Sequence, residues 1–128
     1  MKVLTIEQMH QLKELEVDVK PKGACLMYTS DSSDDYYLKY GESTCEDDVV
    51  AFSLQDLIEL LPPQLMHEEK NIYLNFENIG KEYGFYYVDC DFEIYIYFNN
   101  TNILQAAYEM LLWVIENGYL KTKQNALI

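Results

Sequence analysis

Apolar and polar residues alternate along this chain in two ways, with a helical period near 3.6 and with a strand period of two. Thr5 and Gln8 have the spacing of a capping box. The apolar stripe that follows this box ends before Pro21 and Gly23. We therefore predict a short amphipathic helix over residues 5–16. Its stripe is formed by Ile6, Met9, Leu12 and Leu15.

Two further segments have the helical period. The first begins at Ser53, carries Asp56 where a helix N-terminus favours negative charge, and stops at Pro62-Pro63. The second begins after residues 100–102 and ends near Gly118, which stands where a C-cap glycine is expected. The stripes are Leu54, Leu57, Ile58 and Leu61 in the first, and Ile103, Ala107, Met110, Leu111 and Val114 in the second.

The strand period governs the region between these two helices. Residues 72–76 alternate strictly between apolar and polar side chains. Residues 83–88 and 93–98 follow on either side of a polar break and complete a predicted three-stranded meander. Nearer the N-terminus, residues 24–30 and 36–40 are β-prone and predict a loose hairpin.

Runs of strands with helices at both ends and in the middle favour an α+β fold. We predict a two-layer sandwich in which an antiparallel meander sheet carries about three helices, mainly on one face. A length of 128 residues is common for one domain, and we find no repeat or linker. We therefore expect a single domain over residues 1–128.

The charge of the chain is strongly negative, at −13, and its nine basic residues are all lysines. Phosphate recognition relies on arginine forks and on a positive field, so we expect no direct nucleic-acid binding. The sequence has no apolar run of signal-peptide or membrane-spanning length. We therefore expect a cytoplasmic protein that does not bind membranes.

Catalytic motifs are absent from the sequence. His10 and His67 are far apart, and neither has a signature around it. Cys25, Cys45 and Cys90 are odd in number and widely spaced, which predicts reduced thiols rather than disulfides or zinc ligands. We expect a protein that is not an enzyme and that needs no cofactor or metal.

An alternative prediction is a metal-dependent hydrolase that uses Asp89, Asp91 and Glu93. In one extended strand, these alternate carboxylates would share a face and could bind a hard cation. A turn at residues 89–91 would break the arrangement. The glycine and the closing glutamate of a calcium loop are also missing.

Acidic residues concentrate in residues 31–48, where seven acids stand against Lys39 alone. Clustered acids in polar loops usually form a solvated surface. We include this stretch in a candidate interaction surface, with Asp31, Asp34, Asp35, Glu46, Asp47 and Asp48 as its members.

Tyrosines give the predicted sheet a second face of unusual composition. If the aliphatic residues and phenylalanines of the strands point toward the helices, Tyr73, Tyr95 and Tyr97 point the other way, beside Asn75, Glu77 and Glu93. Tyrosine is enriched in protein interfaces, which favours an interaction surface here. Two simpler explanations remain open: residues 24–52 could fold over this face, or tyrosine could serve only as a good strand former.

Three segments of the chain resemble those of a group of small proteins from gut Bacteroidetes, their phages and mobile elements, for which no activity is assigned. The segments are residues 5–9, 52–58 and 107–120. The resemblance implies a cellular context and a shared fold, and it transfers no site residue.

Our leading hypothesis is a non-enzymatic protein-interaction module. It would be a mobile-element accessory, or an inhibitor or immunity-type protein, that binds a basic protein surface through acids and tyrosines. The second hypothesis is an acidic soluble domain of structural role, in which the tyrosines are buried in a homodimer.

Overall fold

A computed structural model describes residues 2–30 and 35–120 of the chain. These residues form three α-helices and two antiparallel sheets, which confirms the predicted α+β class. The helices are α1 (Ile6–Glu14), α2 (Leu54–Leu60) and α3 (Ile103–Glu116). The strands are β1 (Cys25–Thr29), β2 (Tyr37–Gly41), β3 (Val49–Val50), β4 (Gln64–His67), β5 (Lys70–Ile79), β6 (Glu82–Val88) and β7 (Ile94–Asn100).

The chain divides into two compact units, a first unit containing Val3–Ser53 and a second unit containing Leu54–Lys121. In the first unit, the predicted capping box begins α1: the Gln8 N–H donates to the Thr5 hydroxyl, and the Thr5 N–H donates to the Gln8 side chain. The predicted hairpin is present as β1 and β2. The short strand β3 pairs with the other side of β1, which gives the order β2-β1-β3.

In the second unit, four strands form a meander in the order β4-β5-β6-β7. The last three are the predicted strands, whereas β4 was not predicted because it is only four residues long and follows Pro62-Pro63 directly. Helix α3 packs against β6 and β7, and α2 packs against α3. The sheet therefore has one face under a helix.

The core of the second unit lies between α3 and this face. Ile72, Phe85 and Tyr87 are buried on the sheet side. Burial extends along α3 as its broad apolar stripe predicts. Its buried residues are Leu104, Ala106, Ala107, Tyr108, Met110, Leu111, Val114 and Ile115. The Tyr87 hydroxyl donates to the Pro62 carbonyl at 2.7 Å, so the largest buried side chain of the sheet has a partner for its polar atom.

Candidate interaction surface

The side of the four-stranded sheet that points away from α3 is here called the open face. Cross-strand partners lie on the same side of a sheet, so the strand register identifies its members. They are Tyr73, Asn75 and Glu77 on β5, Gly84, Tyr86 and Val88 on β6, and Ile94, Tyr97 and Asn99 on β7. As predicted, Tyr73 and Tyr97 share this face with Asn75 and Glu77.

The prediction that Tyr95 also belongs to this face is wrong. Tyr87 pairs with Ile96, but its neighbour Val88 pairs with Ile94, so Tyr95 is the extra residue of a β-bulge. Its ring contacts His67 instead, with 5.9 Å between ring centroids. The bulge also reverses the prediction for Ile94, which lies on the open face and is 53% exposed.

Tyr97 lies flat across the open face because the neighbouring strand carries a glycine. A Cβ atom at Gly84 would stand only 2.7 Å from the Tyr97 hydroxyl oxygen. Without that atom, the hydroxyl passes over β6 and donates to Glu77 Oε1 on β5 at 2.6 Å. This hydrogen bond raises the pKa of Tyr97 above its ordinary value. Three strands are thus linked by one side chain.

A groove with a volume of about 410 Å³ lies at the end of the open face where β6 turns into β7. Tyr73, Tyr86 and Ile94 form part of its lining. Phe92 also lines it, is 86% exposed and has a φ of 65°, a left-handed conformation that is a genuine outlier for a bulky residue. Large apolar side chains are therefore presented to solvent around a concave site.

Two carboxylates are hydrogen-bonded to side chains of the open face. Glu77 accepts from Tyr97, and Glu82 accepts from the Asn99 side chain at 3.1 Å. Residues 54–120 carry eleven acids against two lysines, a net charge of −9. The second unit is therefore strongly acidic on its own account.

Asp89 holds the turn between β6 and β7. Its buried carboxylate accepts hydrogen bonds from the N–H groups of Asp91 at 2.9 Å and Glu93 at 3.0 Å, and from the Tyr95 hydroxyl at 3.3 Å. The bond from Glu93, followed by that from Asp91, holds the pKa of Asp89 below its ordinary value despite burial. The carboxylate is therefore engaged by the turn and by Tyr95 of β7, and Lys70 Nζ of β5 lies 3.9 Å from it.

The proposed metal ligands do not converge. The side chains of Asp91 and Glu93 are exposed, whereas Asp89 is buried. Among residues 2–30 and 35–120, no three His, Cys, Asp or Glu side chains are grouped so that they could hold a metal ion. The geometry of this turn gives the hydrolase alternative no support.

The structure describes part of the acidic stretch of the first unit. Asp35, Glu46 and Asp47 are exposed, whereas Asp31 and Asp34 lie outside the residues that the structure describes.

The prediction that Asp48 belongs to a solvated surface is wrong. Its side chain is buried and accepts hydrogen bonds from the Ser43 hydroxyl and from the N–H groups of Thr44 and Cys45. Burial alone would raise the pKa of Asp48, but hydrogen bonds from Thr29, Thr44, Ser43 and Cys45 outweigh it and lower the pKa. Asp48 therefore orders the loop before β3.

A cluster of aromatic rings that the sequence did not predict surrounds His67. Its ring contacts Tyr95 with 5.9 Å between centroids, and Trp113 and Tyr119 with 5.7 Å each. His67 Nδ1 is hydrogen-bonded to the Tyr119 hydroxyl. These residues come from β4, β7, α3 and the segment after α3, so only tertiary packing brings them together. The cluster ties the end of α3 to the sheet.

Comparisons with known proteins gave no match to a family model, to a curated protein or to a solved structure. The resemblance to proteins of gut Bacteroidetes and their mobile elements therefore stays a prediction. None of the helices in the described part of the chain has the length and apolar content needed to cross a membrane.

Proposed function

We propose that this protein is a non-enzymatic interaction module that binds a basic protein surface through the open face. One observation carries the proposal: large apolar side chains remain exposed on the outer side of a regular sheet. Tyr73 is 40% exposed, Ile94 53% and Tyr97 38%. Contiguous exposed apolar patches that are rimmed by polar residues are typical of interaction sites.

The tyrosines of this face are suited to binding. Tyrosine buries a large area while its hydroxyl keeps a polar partner. Tyr97 is already fixed by its hydrogen bond to Glu77, and Gly84 leaves room for its ring. A side chain that is fixed before binding loses less conformational entropy when a partner covers it.

The charge indicates the chemistry of the partner. Eleven acids against two lysines in residues 54–120 repel acidic surfaces and attract basic ones. A basic protein that normally binds phosphates would find carboxylates in their place, which is the behaviour of an inhibitor or immunity-type protein. An accessory role in a mobile element agrees with this chemistry.

The test compares partner capture by open-face variants with capture by a matched tyrosine variant elsewhere. Tyr97→Ala removes an open-face aromatic, whereas Tyr40→Ala removes an exposed tyrosine from β2 in the first unit. Proteins retained from the native cell extract by the wild type and the Tyr40→Ala variant, but lost by the Tyr97→Ala variant, are the candidates. Each is then purified and its Kd is measured.

We expect Tyr97→Ala to weaken binding of the purified partner at least about tenfold, as for an interface anchor. We also expect the Kd to rise with salt concentration, because surface charges are screened. A partner that binds the Tyr97→Ala and Ile94→Ala variants as tightly as the wild type, or whose Kd does not change with salt, would refute the proposal.

A further inference from the structure

Strand β7 is an outer strand of the four-stranded sheet, and among the described residues no strand pairs with its outer side. Alternate residues of such a strand direct N–H and C=O groups away from the sheet. Native proteins usually protect these groups with proline, lysine or a very short strand. β7 has seven residues and contains neither proline nor any charged side chain.

The opposite edge of the sheet is protected. β4 has only four residues, and Pro62-Pro63 precedes it. Pro63 has no N–H to offer a further strand. Of the two edges, only β7 presents a long, uncharged row of backbone groups.

The surroundings of β7 define what could pair with it. On the open face, its side chains Tyr97 and Asn99 hydrogen-bond the carboxylates of Glu77 and Glu82. A strand laid against β7 would place alternate side chains beside Tyr97 and Asn99, where a long basic side chain comes within reach of the Glu82 carboxylate on β6. Its remaining side chains would lie beside Ile96 and Phe98, which are only half-buried.

We propose that β7 accepts an extended segment of the protein partner, with basic and apolar side chains in alternation, as a fifth strand of the sheet. The main-chain hydrogen bonds supply affinity, and the alternating side chains supply specificity. This inference rests on the proposed function, since it specifies how the partner engages the same surface.

A second copy of this chain is the less suitable occupant. Pairing of β7 with itself would bring together two chains of net charge −13, and their like net charge opposes association. Charge complementarity therefore favours a basic segment.

The experiment uses the full chain and three synthetic peptides. The first has the sequence Lys-Val-Lys-Val-Lys-Val, the second has the same side chains but methylated backbone nitrogens on one edge, and the third replaces every lysine by glutamate. Binding is measured by fluorescence anisotropy, and amide hydrogen exchange is followed by NMR.

We expect the lysine peptide to slow hydrogen exchange at alternate amides of β7. We expect methylation to weaken its binding at least about tenfold, because it removes main-chain donors, and the glutamate peptide not to bind. Glu82→Gln should raise the Kd of the lysine peptide about two- to fivefold, as for an exposed charge pair. Glu116→Gln, an equal charge change on exposed α3 surface, should leave the Kd unchanged.

Three results would overturn strand addition. Equal binding of the methylated peptide would show contact through side chains alone, and unchanged β7 exchange at high peptide concentration would place the peptide elsewhere. Protection of β7 that grows with protein concentration in the absence of peptide would identify a second copy as the occupant. None of these results would contradict the proposed function. That proposal fails if the partner binds the Tyr97→Ala and Ile94→Ala variants as tightly as the wild type.

Discussion

The two faces of the four-stranded sheet are built from the same strands but have different roles. Tyr86 and Tyr87 show this most clearly, because they are neighbours in the chain and point to opposite sides. Tyr87 is fully buried against α3 and donates to the Pro62 carbonyl, whereas Tyr86 lines the groove of the open face. Burial explains Phe85 and Tyr87 on the first face, whereas Phe76, farther along the same side, is 49% exposed. Burial does not explain the aromatic residues of the second face, which is why we assign them to binding.

The largest expected effect comes from deleting a buried side chain under the helix-covered face. Leu111 on α3 is fully buried, so Leu111→Ala should lower the free energy of unfolding by about 2–5 kcal/mol. Ile94→Ala on the open face should lower it by less than about 1 kcal/mol, since that residue is already half exposed. Urea unfolding followed by circular dichroism measures both. Equal losses would mean that the open face belongs to the core.

A smaller effect is expected from the buried hydroxyl. Tyr87→Phe removes the donor to the Pro62 carbonyl and should cost about 0.5–1.5 kcal/mol at neutral pH. Tyr86→Phe is the matched control and should change stability little.

Tyr87→Phe also tests how the free energy of unfolding depends on pH. Burial raises the pKa of Tyr87, so the folded state holds this proton more tightly than the unfolded state does. Its contribution to stability is complete below the ordinary tyrosine pKa of about 10 and is lost as pH rises beyond that value. Unfolding measured across this range should therefore show a shallower alkaline decline in Tyr87→Phe than in wild type. An unchanged slope would contradict the burial argument.

The smallest expected effect on stability comes from Gly84→Ala on the open face. The added methyl group would displace the Tyr97 ring and break its hydrogen bond to Glu77. Because the displaced atoms are the tip of a flexible side chain, the stability loss should be smaller than for Tyr87→Phe. The pKa of Tyr97 should fall toward its ordinary value, as measured by NMR titration of its ring.

A second variant tests the hydrogen bond between Tyr97 and Glu77 separately. Glu77→Gln should also lower the pKa of Tyr97, because it removes the charged acceptor of its hydrogen bond. Adding Glu77→Gln to Gly84→Ala should then lower it no further. Additive shifts would show that Tyr97 does not reach Glu77 across Gly84.

Local patterns in the sequence predicted most of the helices and strands. The capping box at Thr5 and the cap at Asn102, whose side chain accepts from the Leu104 and Gln105 N–H groups, are encoded within a few residues. The strand period placed Tyr73 and Tyr97 on the open face. It failed at Tyr95 because alternation assumes an unbroken ladder, and a bulge has no marker in the sequence.

The burial of Asp48 and Asp89 could not be predicted from the sequence either. Composition assigns an acid in an acidic stretch to the surface, yet Asp48 is buried because backbone N–H groups of its own loop converge on it. Asp89 repeats this arrangement in the turn after β6. Several of the partners are main-chain N–H groups, which no side-chain pattern in the sequence identifies.

The unequal edges of the four-stranded sheet determine how large an assembly can grow. A chain with two open edges would propagate from copy to copy and form a fibre. Here β4 is short and follows two prolines, so a strand added at β7 leaves no second template on the far side. In the proposed complex, strand addition to the four-stranded sheet therefore stops after one step.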